Sequence, residues 1–341
     1  NDMPLAVEAL RRALEQSPKH RVAWVAGDGK EAVARCTQDL PDLILMDLIM
    51  PEVDGVEATR RIMGRSPCPI LVVTSTVAGN AGMVFEALGA GALDAVNTPV
   101  LGLDGDPNGA ATLLAKIDMI GRLMGTRSTR SVTPAKAAGA ASSLRPLGLV
   151  AIGSSAGGPA ALASLLARLP RDFPAAIVIV QHVDEQFAAG LAEWLCDHST
   201  LPVRLARPGD KPVAGGVLLA GTSDHLIFTG PDTLGYTPEP RDLVYRPSVD
   251  VFFESILRQW KGAVTGVLLT GMGRDGAAGL KALRDAGHHT VAQDRATCAV
   301  YGMPKAAAAL NAAVEVLPLD QIGPALQSQF VSGLPGKVTS L

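Results

Sequence analysis

Short apolar runs alternate with longer amphipathic stretches along almost the whole chain, and this alternation restricts the possible folds more than any other feature. A strand buried on both faces reads as a continuous apolar run, while the helix that covers it repeats every 3.6 residues. Repeats of strand, helix and strand build parallel sheets with helices on both faces. In the first part the pattern predicts helices over 4–15, 30–38, 55–63, 81–88 and 108–124, and strands over 22–26, 43–46, 70–73 and 93–96. It lapses over 125–147, a small, polar stretch that cannot bury enough surface to offset its ordering entropy. It then resumes, with strands expected over 149–154, 176–180, 264–270, 290–293 and 314–317, and four short ones between 202 and 237 forming a β-rich insert. The reading is two α/β domains with doubly wound parallel sheets, over 1–124 and 148–335, joined by a linker and followed by a tail over 336–341.

Composition narrows the function. A net charge of −3, with 48% apolar and 18% charged residues, gives no support for nucleic-acid binding or for adhesion to an anionic membrane. The four cysteines, Cys36, Cys68, Cys196 and Cys298, form no C-x-x-C pair, which argues against a zinc site and for a reducing compartment. No apolar run reaches the length of a membrane span and no leader pattern opens the sequence, so a cytoplasmic location without membrane insertion is expected.

Chemistry concentrates at predicted strand ends. Leu149-Val-Ala-Ile-Gly-Ser-Ser-Ala-Gly-Gly158 reads as a strand, a glycine-rich turn and the start of a helix, with Ser154 and Ser155 in the turn. Such a turn suits either a nucleotide phosphate or a nucleophilic serine beside backbone N–H donors, and a serine there also serves as an ordinary helix cap. The nucleotide reading lacks both the G-x-G-x-x-G spacing and a P-loop lysine. Two further strand ends carry His182 and Asp275. Each is commonplace alone. Together with Ser155 they occupy the ligand-bearing edge of one parallel sheet, the arrangement a hydrolase needs: His182 as base, Asp275 to orient it, and turn N–H groups for the oxyanion. The turn is not the G-x-S-x-G elbow of α/β-hydrolases.

The first part resembles a response-regulator receiver domain. The carrying residues are Asp47 at a strand end, Met50-Pro51, Asp54-Gly55, and Thr74 closing the next strand. The resemblance implies a flavodoxin-like fold with Asp47 as phosphoacceptor, Mg²⁺ held by Asp2, Asp47 and the Ile49 carbonyl, and Thr74 sensing the phosphoryl group. Mg²⁺ suits carboxylate ligands and offsets phosphoryl charge. Asn1 and Asp2 match the acidic pair that follows the family's central first strand, so a few residues are expected to precede Asn1. Asn1 replaces an acidic residue, Thr98-Pro99 stands for the family's Lys-Pro, and Ala95 holds the usual switch-aromatic position.

The second part resembles the catalytic domain of the chemotaxis protein-glutamate methylesterases, the CheB family, a Rossmann-like fold. The segments are Ile152-Gly-Ser-Ser-Ala-Gly-Gly158, Gln181-His182, Arg246-Pro-Ser-Val-Asp-Val-Phe-Phe253, Leu269-Thr-Gly-Met-Gly-Arg-Asp-Gly-Ala-Ala-Gly279 and Tyr301-Gly-Met-Pro304. The resemblance places the nucleophile at Ser155, replaces a family threonine by Ala156, and offers the backbone of Met272 and Ala156 as oxyanion donors. It implies hydrolysis of glutamyl methyl esters on chemoreceptor cytoplasmic helices, with deamidation of selected glutamines. It also implies control by a CheA-type histidine kinase, with the receiver covering the esterase cleft until phosphorylated. No metal is implied for the hydrolysis itself. Asn1-Asp-Met-Pro4 and Asn97-Thr-Pro99 look closest to the WspF branch, which serves surface sensing. The rival expectation is a receptor-docking regulator whose triad is silent.

Overall fold

The computed structural model describes residues 1–75, 80–99, 107–125 and 147–331, and it forms two compact units, Asn1–Arg127 and Ser128–Leu341. Residues 126–146 of the expected linker and the 336–341 tail lie outside the described residues. Both units are α/β with parallel sheets. Among the described residues no helix is long and apolar enough to cross a membrane.

The first unit runs α1 (Pro4–Glu15), α2 (Gly29–Gln38), β1 (Ile44–Met46), α3 (Gly55–Arg65), β2 (Ile70–Thr74), α4 (Ala81–Gly89), β3 (Asp94–Asn97) and α5 (Pro107–Gly125). Local chemistry sets the helix starts. Proline opens α1, and the Asp28 and Asp54 carboxylates cap α2 and α3 by accepting the N–H groups of Glu31 and Glu57. The sheet order is β1-β2-β3, with β2 buried along its whole length. Leu71, Val73 and Val96 pack against Leu10 and Ala13 of α1 and Leu113, Ile117 and Ile120 of α5.

The strand expected over 22–26 does not join the sheet. A β-strand exists through its hydrogen-bonded neighbour, and Trp24 and Ala26 line, together with Ile44 and Met46, a cavity of about 680 Å³. Residues 22–26 carry no strand, so the strand expected there is not found.

The second unit contains β4 (Gly148–Ser154), α6 (Gly158–Leu166), β5 (Ala175–Gln181), α7 (Glu185–Asp197), β6 (Val203–Leu205), β7 (Val217–Leu219), β8 (His225–Phe228), β9 (Leu234–Thr237), α8 (Val249–Gln259), β10 (Val264–Leu268), α9 (Ala277–Asp285), β11 (His289–Gln293), α10 (Met303–Ala309), β12 (Glu315–Leu317) and α11 (Leu319–Val331). Its seven-stranded parallel sheet has the order β12-β11-β10-β4-β5-β7-β6. The insert is therefore smaller than expected: β6 and β7 extend the main sheet, and only β8 and β9 stand apart as an antiparallel hairpin. Burial explains the difference, since every residue of β7 is buried, as an interior strand requires.

Helix α11 is absent from the sequence reading because Pro324 interrupts its pattern. Packing overrides that penalty. Ile322 and Leu326 are buried, and the Phe330 ring meets Phe173 edge-on with centroids 5.9 Å apart. The chain leaves β4 for β5 on one side and returns to β10 on the other, so a crevice opens at the carboxyl ends of β4 and β10.

Candidate active site

The site is built on the last residues of β4 and β5. Ser154 pairs with Gln181 in the parallel register, so one residue further on Ser155 stands opposite His182. Neighbouring strands lie about 4.8 Å apart, which brings the two side chains within reach of each other. On its other flank the Ser155 N–H donates to the Thr270 carbonyl at 3.0 Å. The chain then turns through Gly157 at φ +75°, a left-handed conformation that an L side chain resists. The two turn serines differ in employment. The Ser154 hydroxyl is fully buried and donates to Gln181 Oε1 at 2.7 Å, whereas the Ser155 hydroxyl makes no hydrogen bond among the described residues.

Asp275 lies in the loop between β10 and α9. Its Oδ2 contacts His182 Nε2 at 2.8 Å, and the opposite ring nitrogen, Nδ1, is buried with no hydrogen-bond partner. In the common serine-hydrolase template Nδ1 faces the carboxylate and Nε2 the serine. Here the contacts run the other way round: Nε2 meets the carboxylate and Nδ1 is left unpartnered. Tyr245 holds the ring's plane by stacking on it, with centroids 4.0 Å apart and 5° between planes.

The Asp275 carboxylate is fastened to the start of α8. It accepts the Ser248 hydroxyl at 2.8 Å, the Val249 N–H at 2.7 Å and the Asp250 N–H at 3.1 Å. Burial alone would raise its pKa, but the His182 contact and these donors outweigh it and the carboxyl is lowered, so it stays ionised. The helix dipole acts in the same direction. Asp250 returns the favour by accepting the Gly279 N–H of α9 at 2.6 Å, so each helix start is capped by a carboxylate from the other's neighbourhood. Burial, with the Asp275 charge adding to it, pushes the Asp250 carboxyl up to about 8. The cluster thus favours a single negative charge, on the residue that faces His182.

The expected oxyanion donors border the same crevice. The N–H groups of Ala156 and Met272 make no hydrogen bond among the described residues, while the Ala156 carbonyl accepts the Thr270 hydroxyl at 2.9 Å. Gly271 sits directly against the serine: a β-carbon there would lie 2.8 Å from Ser155 Cβ and 2.3 Å from Met303 Sδ. Sequence reasoning assigned no role to Tyr245, Thr270 or Gln181, although Thr270 and Gln181 lie within quoted motifs and Tyr245 directly precedes one. Gln181 braces the turn, its Nε2 donating to the carbonyls of Ser155 and His182 at 2.9 and 3.0 Å.

Residues 150–326 match the family model described as CheB methylesterase, and residues 1–101 match the response regulator receiver domain. The chain belongs to the CheB methylesterase family. A "Protein-glutamate methylesterase/protein-glutamine glutaminase 4" from Burkholderia thailandensis is 61% identical over 328 residues, covering 96% of this chain and 95% of the relative. A "Protein-glutamate methylesterase/protein-glutamine glutaminase 3" from Pseudomonas aeruginosa is 59% identical over 333 residues, covering 97% and 98%. Among solved structures, the CheB methylesterase catalytic domain of Thermotoga maritima matches with a TM-score of 0.51 and 34% identity, covering 53% of this chain and 97% of that one. This CheB-family chain is therefore an enzyme with a receiver domain and a methylesterase domain.

The CheB-family receiver carries its expected residues at the carboxyl ends of β1 and β2. Asp47 is buried and its Oδ1 accepts the Leu48 N–H at 2.7 Å. Burial raises its pKa above the usual carboxylate range, the Leu48 and Ile49 N–H groups oppose the rise, and the charge of Asp2 adds to it. Gly55 packs on the Asp47 carbonyl so closely that a β-carbon would lie 1.9 Å from the oxygen. The Thr74 hydroxyl is buried and accepts the Asn80 amide at 3.1 Å, and the Thr98 N–H donates to the Thr74 carbonyl at 2.9 Å.

Proposed function

We propose that this protein hydrolyses γ-glutamyl methyl esters on the cytoplasmic helices of a chemoreceptor, releasing methanol, with Ser155 as nucleophile. The observation that carries the reading is the His182–Asp275 contact of 2.8 Å with His182 Nδ1 left buried and unpartnered beside the serine turn. Nδ1 takes the proton as Ser155 Oγ attacks the ester carbon, and Asp275 stabilises the imidazolium through Nε2. The carbonyl oxygen gains its charge beside the unengaged N–H groups of Ala156 and Met272. His182 then returns the proton to the departing methanol, and water cleaves the acyl-serine by the same route to leave a glutamate. A glutamine side chain in the same pose would release ammonia, matching the second half of the relatives' names.

The receiver's part is phosphorylation of Asp47 by a CheA-type histidine kinase in the cytoplasm, raising esterase activity. Asp2, Asp47 and the Ile49 carbonyl would hold Mg²⁺, which when bound neutralises charge on the transferring phosphoryl group. The fit rests on the residues themselves: the Asp2 charge already raises the Asp47 carboxyl, a repulsion that a cation relieves. Thr74, whose hydroxyl accepts the Asn80 amide, would donate its own O–H to a phosphoryl oxygen. Placement in the WspF-like, surface-sensing branch is supported by Asn1-Asp2-Met3-Pro4 and Asn97-Thr98-Pro99. The test is methanol release from methylated receptor membranes by the wild type and Asp47→Asn, with and without a small phosphodonor and Mg²⁺. The reading expects release by both proteins and stimulation of the wild type alone. No release by either would favour a receptor-docking regulator with a silent triad.

A further inference from the structure

A second histidine stands behind the triad. His225, in β8, is fully buried, with Nε2 3.0 Å from the Pro240 carbonyl oxygen and Nδ1 accepting the Ser248 N–H at 3.0 Å. A carbonyl oxygen only accepts and a backbone N–H only donates, so the two contacts select one form of the ring: neutral, with its proton on Nε2. Ser248 continues the chain. Its hydroxyl donates to Asp275 Oδ1 at 2.8 Å, and the next two N–H groups, of Val249 and Asp250, hold the same carboxylate. One hydrogen-bonded path thus runs from Pro240 through His225, Ser248 and Asp275 to His182.

We propose that His225 is a positioning residue of the hydrolytic site, fixing the start of α8 through Ser248 so that Asp275 and His182 remain in line with Ser155. This rests on the esterase reading above. Without an acceptor at Nδ1, the Ser248 N–H is a buried donor with no partner, and the first turn of α8 has to shift to find one. The carboxylate carried by that turn shifts with it, and misplacement of a catalytic group lowers turnover more than binding.

Two substitutions separate positioning from mere filling. In His225→Asn the side-chain oxygen can take the place of Nδ1 and accept from Ser248. In His225→Gln the amide reaches toward Pro240 and leaves Ser248 without its acceptor. The assay is kcat and KM for methanol release from methylated receptor membranes by the full chain, with thermal melts of each protein. The expected result is a kcat about tenfold lower for Gln with KM unchanged, equivalent to about 1.4 kcal/mol in the barrier. Asn should retain kcat within about threefold of wild type, although it loses the bond to Pro240. A space-filling role predicts the reverse order, because Gln is nearer to His in volume. Wild-type kcat in the Gln variant, or equal losses in both, overturns the proposal.

Should either variant fail to fold, the wild-type ring is read directly by nitrogen NMR. The proposal requires a proton on His225 Nε2 and none on Nδ1, and a proton on Nδ1 overturns it. No methanol from the wild type would instead refute the esterase reading, and the ring spectrum then still decides the hydrogen-bonded path by itself.

Discussion

Replacing Gly271 by alanine presses on Ser155, the proposed nucleophile, without altering any proposed reacting atom. Gly271 has no left-handed φ among the described glycines, so alanine meets no backbone penalty there and its effect is steric. The new methyl would sit 2.8 Å from Ser155 Cβ and 2.3 Å from Met303 Sδ. Comfortable carbon contacts begin at roughly 3.5 Å, so the serine must retreat by about 0.7 Å or the loop must carry the strain. Met303 is fully buried and has little room to yield. A misplacement of about 1 Å costs on the order of a hundredfold in rate, and a fall of ten- to a hundredfold in kcat is expected, about 1.4–2.7 kcal/mol. Overpacking of this kind should also remove about 1–3 kcal/mol of stability, or roughly 2–4 °C of melting temperature per kcal/mol. The assay is methanol release at saturating substrate with a thermal melt of the same sample. A variant with wild-type kcat and an unchanged melt would show that the serine turn is not packed as described.

Three further outcomes follow from the structure. Tyr245 stacks face to face on His182, so Tyr245→Phe should keep kcat within about threefold while Tyr245→Leu loses about tenfold, since only the ring face supports the imidazolium; equal losses would point instead to the Tyr245 hydroxyl. The Asp47 pKa is raised by burial, so its ionisation costs stability above the unfolded carboxyl's pKa of about 3.9, and that cost is relieved as pH falls through the raised value. Asp47→Asn should therefore melt higher than wild type at pH 7 without Mg²⁺, and the gap should close at acid pH. Mg²⁺ at tenfold excess over its dissociation constant should stabilise the wild type by about 1.4 kcal/mol and leave Asp47→Asn unmoved; equal responses would remove Asp47 from the metal site.

Much of this architecture was legible because parallel sheets write themselves into sequence as apolar runs, and because their functional residues gather at strand ends. Ser155, His182 and Asp275 could be picked out since each follows such a run. The structure adds how His182 is oriented, which depends on Tyr245 and Asp275 arriving from distant segments and leaves no local signal. His225 was equally hidden: within β8 it looks like any buried strand residue, and its partners Pro240 and Ser248 lie 15 and 23 positions away. Strand character in 22–26 was read from its apolar run, but pairing is a property of two segments, and no single run reports it. Helix α11 shows the converse, with tertiary packing of Ile322 and Leu326 overcoming the local veto of Pro324.

The central claim is that Ser155, activated by His182 through Nδ1, cleaves glutamyl methyl esters. The most direct test is methanol release from methylated receptor membranes by the wild type, Ser154→Ala and Ser155→Ala, with each protein shown to be folded. The account predicts release by the wild type, its abolition in Ser155→Ala, and substantial retention in Ser154→Ala, whose hydroxyl only braces Gln181. Release that survives Ser155→Ala but not Ser154→Ala would contradict it.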